Sequence, residues 1–217
     1  MSDTARFDLK PEYFRLGRSL ASLLTSEYQV ASTKRIVIAI AGESGSGKSV
    51  TATCLARELD AAGIPAAVLH QDDYFHRPPR ANHEHRVRDL DRVGPHEVNF
   101  DLLRARIADF RAGAAEVSAP LVDYSTDGFF TQRLDFSAVC TLIVEGTYVL
   151  RLDDADVRIF LEATSDETRE RRRLRNRDIV APVVDQVLAI EHELIAPQAA
   201  LAHIVIGREF DIRRRAP

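Results

Sequence analysis

The octapeptide Gly42-Glu43-Ser44-Gly45-Ser46-Gly47-Lys48-Ser49 restricts this chain more than any other stretch. It follows an apolar run, Ile36 to Ala41, and precedes Val50-Thr51-Ala52-Thr53-Cys54-Leu55-Ala56, which reads as the start of a helix. Strand, glycine-rich loop and helix, in that order, give the spacing G-x-x-x-x-G-K-[ST] its meaning. Glycines let the backbone curl until several N–H groups converge on one phosphate chain. The helix that opens near Lys48 adds the positive end of its dipole. Lys48 then reaches the β- and γ-phosphates, and the Ser49 hydroxyl is a ligand for Mg²⁺. An ordinary strand-to-helix turn would need no lysine. This chain has lysine only at positions 10, 34 and 48 and uses arginine everywhere else, so the ammonium after Gly47 is a specific requirement.

The 217 residues are of a size for one folded unit with a sizeable core. A net charge of −4 argues against a general nucleic-acid binder. No apolar run approaches the length of a membrane span, and the first thirty residues lack the basic start and apolar centre of a signal peptide. Two cysteines make no disulfide framework. Cys54 and Cys140 both read as small buried residues, which fits a reducing, cytoplasmic setting.

Residues 1–34 form an N-terminal helical extension, in which Leu16, Leu20, Leu23 and Leu24 recur at helical spacing. The apolar stripe is expected to pack on the domain, residues 35–217; a contact between copies, and hence a homo-oligomer, is the alternative use. The first strand, 35–41, leads through the loop into a helix that ends near Ala62, with Gly63 and Pro65 closing it. A second strand runs from Ala66 to His70. Residues 76–98 read as irregular and polar, with His83 and His85 as solvated loop histidines rather than metal ligands. Asn99 reads as the N-cap of a helix over 100–111. Residues 117–136 alternate and turn like a small antiparallel excursion. Further strands are expected at 139–144, 157–161 and 203–206, a helix at 183–196, and a solvated tail at Arg213-Arg214-Arg215.

Two strand ends carry carboxylates. The run Ala66–His70 finishes in Gln71-Asp72-Asp73-Tyr74-Phe75, and in a parallel α/β sheet ligands sit off the carboxyl ends of strands. Asp72 and Asp73 are therefore placed beside the phosphates; a solvated turn is the plainer alternative. The strand 139–144 ends at Glu145-Gly146, and an acidic residue there meets the Walker-B requirement for a carboxylate near Mg²⁺. After Thr164 a helix carries Arg169, Arg171, Arg172, Arg173, Arg175 and Arg177. Arg169, Arg173 and Arg177 fall on one face at i, i+4, i+8, suited to neutralising charge on a transferring phosphoryl group.

With these residues in place, the chain resembles the uridine kinase and phosphoribulokinase group of P-loop kinases over most of residues 35–206. The likeness rests on Gly42 to Ser49, His70 to Phe75, the helix entry Pro95 to Leu103, Ile143-Val144-Glu145-Gly146, and the arginine helix ending Arg177-Asp178. The stretch His70 to Phe75 is also similar to nicotinamide riboside kinases. The resemblance implies an α/β fold of the P-loop NTPase kind: a mostly parallel sheet flanked by helices, with an arginine-rich lid holding Arg173 and Arg177. It also implies that Asp72 acts on the acceptor hydroxyl, the 5′-hydroxyl in nucleoside kinases. The chain departs from uridine–cytidine kinases in three places. Val122-Asp123-Tyr124-Ser125-Thr126-Asp127 has no base-reading histidine after it, Val93 stands where a sugar-binding aspartate is found, and Ile179-Val180-Ala181-Pro182 replaces a second arginine pair.

The expected protein is thus an ATP- and Mg²⁺-dependent kinase acting on a small-molecule acceptor, a nucleoside or another ribose-like compound, with no nucleic-acid or membrane partner. Gly42, Glu43, Ser44, Gly45, Ser46, Gly47, Lys48 and Ser49 bind ATP. Ser49 and Glu145 hold the metal, and Asp72, Lys48, Arg173 and Arg177 carry catalysis. Asp72, Asp73, Tyr74, Phe75, Tyr124 and Arg169 line the acceptor site. A GTP-dependent switch would need an Asn-Lys-x-Asp signature, and no Asn-Lys pair exists; Asp91-Arg-Val-Gly94 fits a bare D-x-x-G but no apolar strand leads into it. A non-catalytic nucleotide-binding module would not need Asp72, Glu145 and an arginine face together.

Overall fold

The fold is built around β1 (Ile36–Gly42), whose alternation sorts its side chains into two apolar layers. Val37, Ala39 and Ala41 face one layer, and Ile38 and Ile40 face the other. The computed structural model describes residues 9–163 and 182–215. Parallel neighbours flank β1: β5 (Thr141–Glu145) on one side and β6 (Val157–Leu161) on the other. Outside β5 lies β2 (Ala66–His70); outside β6 lies β7 (Ile204–Ile206). The order is β2-β5-β1-β6-β7-β8, all parallel except the edge strand β8 (Ile212–Arg214). β5 is buried at every position, as a central parallel strand covered on both faces must be.

Helices cover the two faces. The layer on Ile38 and Ile40 takes α1 (Pro11–Glu27) and α2 (Lys48–Ala61), through Leu16, Leu20, Leu24, Leu55 and Leu59. The apolar stripe of α1 is thus covered by its own chain. The opposite layer holds Leu103, Ile107 and Phe110 of α4 (Phe100–Arg111) together with Phe136. Asn99 caps α4 by accepting the Leu102 N–H at 3.0 Å, which fixes where that helix starts. β3 (Glu116–Asp123) and β4 (Gly128–Asp135) form a separate antiparallel hairpin. No helix among the described residues is long and apolar enough to cross a membrane.

Three expectations are corrected. Residues 76–98 are not irregular: they contain α3 (Pro79–Arg88), so His83 and His85 sit on a helix and are half-buried. α3 has no apolar stripe because its inner face is polar. Asn82 and Arg86, one turn apart, both bond to the buried Glu97. Asn82 Nδ2 donates to Oε1 at 3.0 Å, and Arg86 makes a two-pronged pair at 2.7 and 2.8 Å. Arg86 also pairs at 3.1 Å with Glu191 on α5 (Pro182–Ile195). The expected tail Arg213-Arg214-Arg215 is instead largely the strand β8. Its register sets Ile212 against Ile206, while Arg213 pairs with Glu162 and Asp211 and Arg214 with Glu27. Charged side chains on a short edge strand discourage pairing with another chain. Cys54 is buried, which pushes its thiol up to about 11, but Cys140 is only half-buried and its Sγ donates to the Ser32 carbonyl at 3.1 Å.

Arg86 thus answers two buried carboxylates at once. Burial pushes the Glu191 carboxyl up, opposed by Arg86 and reinforced by Glu97. Replacing the guanidinium in Arg86→Met should destabilise the fold at pH 7 by about 3–5 kcal/mol, because it leaves buried charge unpaired. Without Arg86, Glu191 would be harder to ionise folded than unfolded, so it binds an extra proton on folding. The deficit should therefore shrink as pH falls towards the ordinary glutamate value of 4.5. Urea unfolding of both proteins at pH 7 and pH 5 measures this; equal stability at pH 7 contradicts it.

Candidate active site

The register of the sheet brings the chemistry-bearing strand ends together. Glu145, the last residue of β5, pairs with Ile40 of β1 on one side and His70 of β2 on the other. Its carboxylate is therefore flanked by the phosphate-loop candidate and by the strand that leads to Asp72. The Ser49 hydroxyl donates to Glu145 Oε1 at 2.9 Å, and His70 Nδ1 donates to the same oxygen at 2.7 Å. Burial alone would raise this carboxyl's pKa. The hydrogen bond and charge of His70, the charge of Lys48 and the Ser49 hydroxyl outweigh it, holding Glu145 below the ordinary carboxylate range. The residue stays ionised while 3% exposed.

The loop between β1 and α2 closes on itself. Ser46 N–H donates to the Glu43 carbonyl at 3.1 Å, and Lys48 Nζ donates to the same oxygen at 2.9 Å. The Glu43 side chain is buried and meets His192 Nδ1 of α5 at 2.6 Å. Gly42, Ser44, Gly45 and Gly47 complete the turn that delivers the first N–H groups of α2.

Beyond β2 the chain makes a single 3-10 turn, Gln71–Tyr74, which separates the two aspartates by role. Asp72 is exposed, and its Oδ2 accepts the Tyr124 hydroxyl at 3.3 Å. Asp73 is buried, and its Oδ1 accepts the Val122 N–H at 2.9 Å, fastening the hairpin to the sheet. Tyr74 lies in the core with burial raising its phenol, and Phe75 packs against that core with the Arg86 guanidinium 5.8 Å from its ring centre. Of the six residues expected around the acceptor, Asp72 and Tyr124 are thus brought together. Asp73, Tyr74 and Phe75 shape the wall behind them. Arg169, Arg173 and Arg177 lie outside the described residues.

Three further residues support the site. His70, the strand end that opens the His70–Phe75 stretch, is a direct partner of Glu145. Gln71 is fully buried; its Oε1 accepts the Tyr148 N–H at 2.9 Å and its Nε2 donates to Thr147 Oγ1 at 3.2 Å. This ties Asp72 to the loop after Glu145, and it works because a Cβ at Gly146 would come within 2.3 Å of the Gln71 Cβ. His192 bonds a glutamate 149 residues away, and no local pattern announces that contact. Tyr124 is held in its turn by Asp123, which hydrogen bonds from Ser125 and Thr126 keep down to about 2.

The family model described as "Phosphoribulokinase / Uridine kinase family" matches residues 37–211. The uridine kinase of Ureaplasma parvum is 31% identical over 175 residues, covering 70% of this chain and 81% of that protein. The bifunctional alpha-galactosidase/sucrose kinase AgaSK of Mediterraneibacter gnavus is 32% identical over 192 residues, 82% of this chain; the chain spans only 20% of that protein's length. Among solved structures, a possible uridine kinase from Bacillus stearothermophilus superposes with a TM-score of 0.65 at 20% identity, covering 89% of this chain and 98% of that one. That likeness is one of fold: a mostly parallel sheet between helices. The chain belongs to the phosphoribulokinase / uridine kinase family and is a phosphotransferase with an alcohol group as acceptor.

Proposed function

We propose that the protein transfers the γ-phosphoryl group of ATP to a hydroxyl of a sugar, free or as the ribose of a nucleoside. The observation that carries this reading is the contact of the Ser49 hydroxyl with an ionised, buried Glu145 at 2.9 Å, next to Lys48 and one strand away from Asp72. Loop N–H groups from Gly42 to Ser49 and the Lys48 ammonium receive the triphosphate. Ser49 and Glu145 would hold Mg²⁺. A hydroxyl and a carboxylate are hard oxygen donors, and an ion that keeps several waters needs few protein ligands. When bound, it neutralises phosphate charge.

Asp72 orients the acceptor hydroxyl and takes its proton. Its exposure leaves one oxygen open to an acceptor while Tyr124 holds the other. Asp73, Tyr74 and Phe75 keep this edge of the site in shape. In this reading Arg173 and Arg177 stabilise charge spread over the transferring group, and Arg169 binds the acceptor. Most of the rate then comes from positioning and electrostatics, since phosphoryl transfer asks for little covalent chemistry.

The acceptor class is supported by two relatives whose names share a sugar hydroxyl, uridine and sucrose. The lack of a base-reading histidine after Tyr124 favours recognition of the sugar over recognition of a pyrimidine. Coupled measurement of ATP consumption should give turnover with at least one of uridine, cytidine, nicotinamide riboside, sucrose or fructose. Turnover confined to glycerate or pantothenate would overturn the sugar-hydroxyl reading. On the acceptor so found, Asp72→Asn should lower kcat by about 10²–10⁴ while ATP affinity, read by calorimetry, is kept. Undiminished kcat would remove Asp72 from proton transfer.

A further inference from the structure

α1 precedes the residues matched by the family model, and the proposed reaction makes no use of it. Its first turn nevertheless reaches the phosphate loop. Gly47, the residue before Lys48, is left-handed with φ +96°. A Cβ there would come within 2.7 Å of the Tyr13 hydroxyl oxygen and 3.0 Å of its ring. Tyr13 therefore fills the space on the outer side of Gly47. The tyrosine is 7% exposed, in a pocket completed by Val50 and Cys54 from the start of α2. Phe210, in the turn between β7 and β8, meets its ring edge-on at 5.1 Å and 78°.

An anion site made of backbone N–H groups works only while those groups stay convergent. Glycine is the residue least able to enforce this, because it visits both halves of φ space almost equally. A rigid ring wedged against the α-carbon supplies the missing constraint from outside the loop. The ring is itself fixed, since α1 is packed along α2 by Leu16, Leu20 and Leu24 and tied to it by Arg18–Glu58 at 3.1 Å.

We infer that Tyr13 is a positioning residue for the nucleotide: α1 is a strut whose tyrosine holds Gly47 in the left-handed turn that presents Lys48 and Ser49. This rests on the reading of Gly42–Ser49 as the triphosphate loop. Nucleotide affinity then depends on α1 through Tyr13 specifically, and not through the general stability of the helix.

Calorimetric titration of the full chain with ATP and Mg²⁺, without acceptor, tests this. Tyr13→Ala should weaken binding about tenfold, the scale of a small misplacement at a preorganised site. Tyr13→Phe keeps the ring against Gly47 and should stay within about threefold of the parent. Leu24→Ala removes an equally buried side chain from the far end of the same helix, and should stay within about twofold although its Tm falls. Equal weakening in Tyr13→Ala and Leu24→Ala overturns the strut. Lys48→Ala separates the strut from the loop reading it rests on. Wild-type affinity there refutes the phosphate-loop reading and the strut with it, whereas lost affinity there alongside wild-type affinity in Tyr13→Ala refutes the strut alone. Should Tyr13→Ala not fold by circular dichroism, Tyr13→Leu, which stays apolar but is too short to reach Gly47, decides by the same criterion.

Discussion

A carboxylate at the end of a central strand is tolerated only if its charge is answered on the spot, and Glu145 organises this molecule by that demand. Isolated in an apolar interior, an ionised carboxyl is so costly that it would take up a proton instead. Here Ser49 and His70 both donate to it, and the Lys48 charge lies near enough to help hold it ionised. Each partner arrives from a different element: Ser49 from the first turn of α2, His70 from the end of β2. Satisfying one buried charge therefore fixes the relative heights of α2, β2 and β5, and places the loop and Asp72 on the same edge of the sheet.

The region around Asp72 and Tyr124 is built on a different principle. β3 and β4 form a sheet of their own, so their position against the main sheet cannot come from a shared hydrogen-bond ladder. It comes from apolar side chains, Val117 and Leu134, that join the core layer of Leu103 and Phe110, and from polar anchors: Asp73 on the Val122 N–H, and Asp127 accepting the N–H of Arg80 on α3 at 2.7 Å. Between those anchors sits Tyr124, presented to Asp72.

What was legible in the sequence follows from which interactions are local. The strands at Ala66–His70 and Val157–Leu161 were readable to the residue, because apolar runs bounded by turn residues have few other uses in a parallel sheet. The α4 start was readable from Asn99, whose cap bond is three residues long. The same logic explains the failures. α3 is stabilised by ion pairs to Glu97 and Glu191, so the apolar period that normally announces a helix is missing. β8 is a strand because β7 lies beside it, and three consecutive arginines carry no sign of that neighbour. At the site, Asp72, Glu145 and the loop stood out, while His70, Gln71 and His192 did not. Their roles are contacts across 75, 76 and 149 residues of chain.

α5 ties these two regions together through consecutive residues. Glu191 reaches Arg86, and through it α3 and the wall that carries Phe75; His192 reaches Glu43 in the loop between β1 and α2. Successive side chains on a helix point about 100° apart, so both contacts can form only at one rotation of α5 about its axis. The apolar face of α5 would by itself accept small rotations, since hydrophobic packing is weakly directional. Two polar contacts in different directions remove that freedom. The helix is thereby held in one orientation against both the wall that carries Phe75 and the loop from Gly42 to Ser49, which relates these two regions through a third element rather than through the sheet alone.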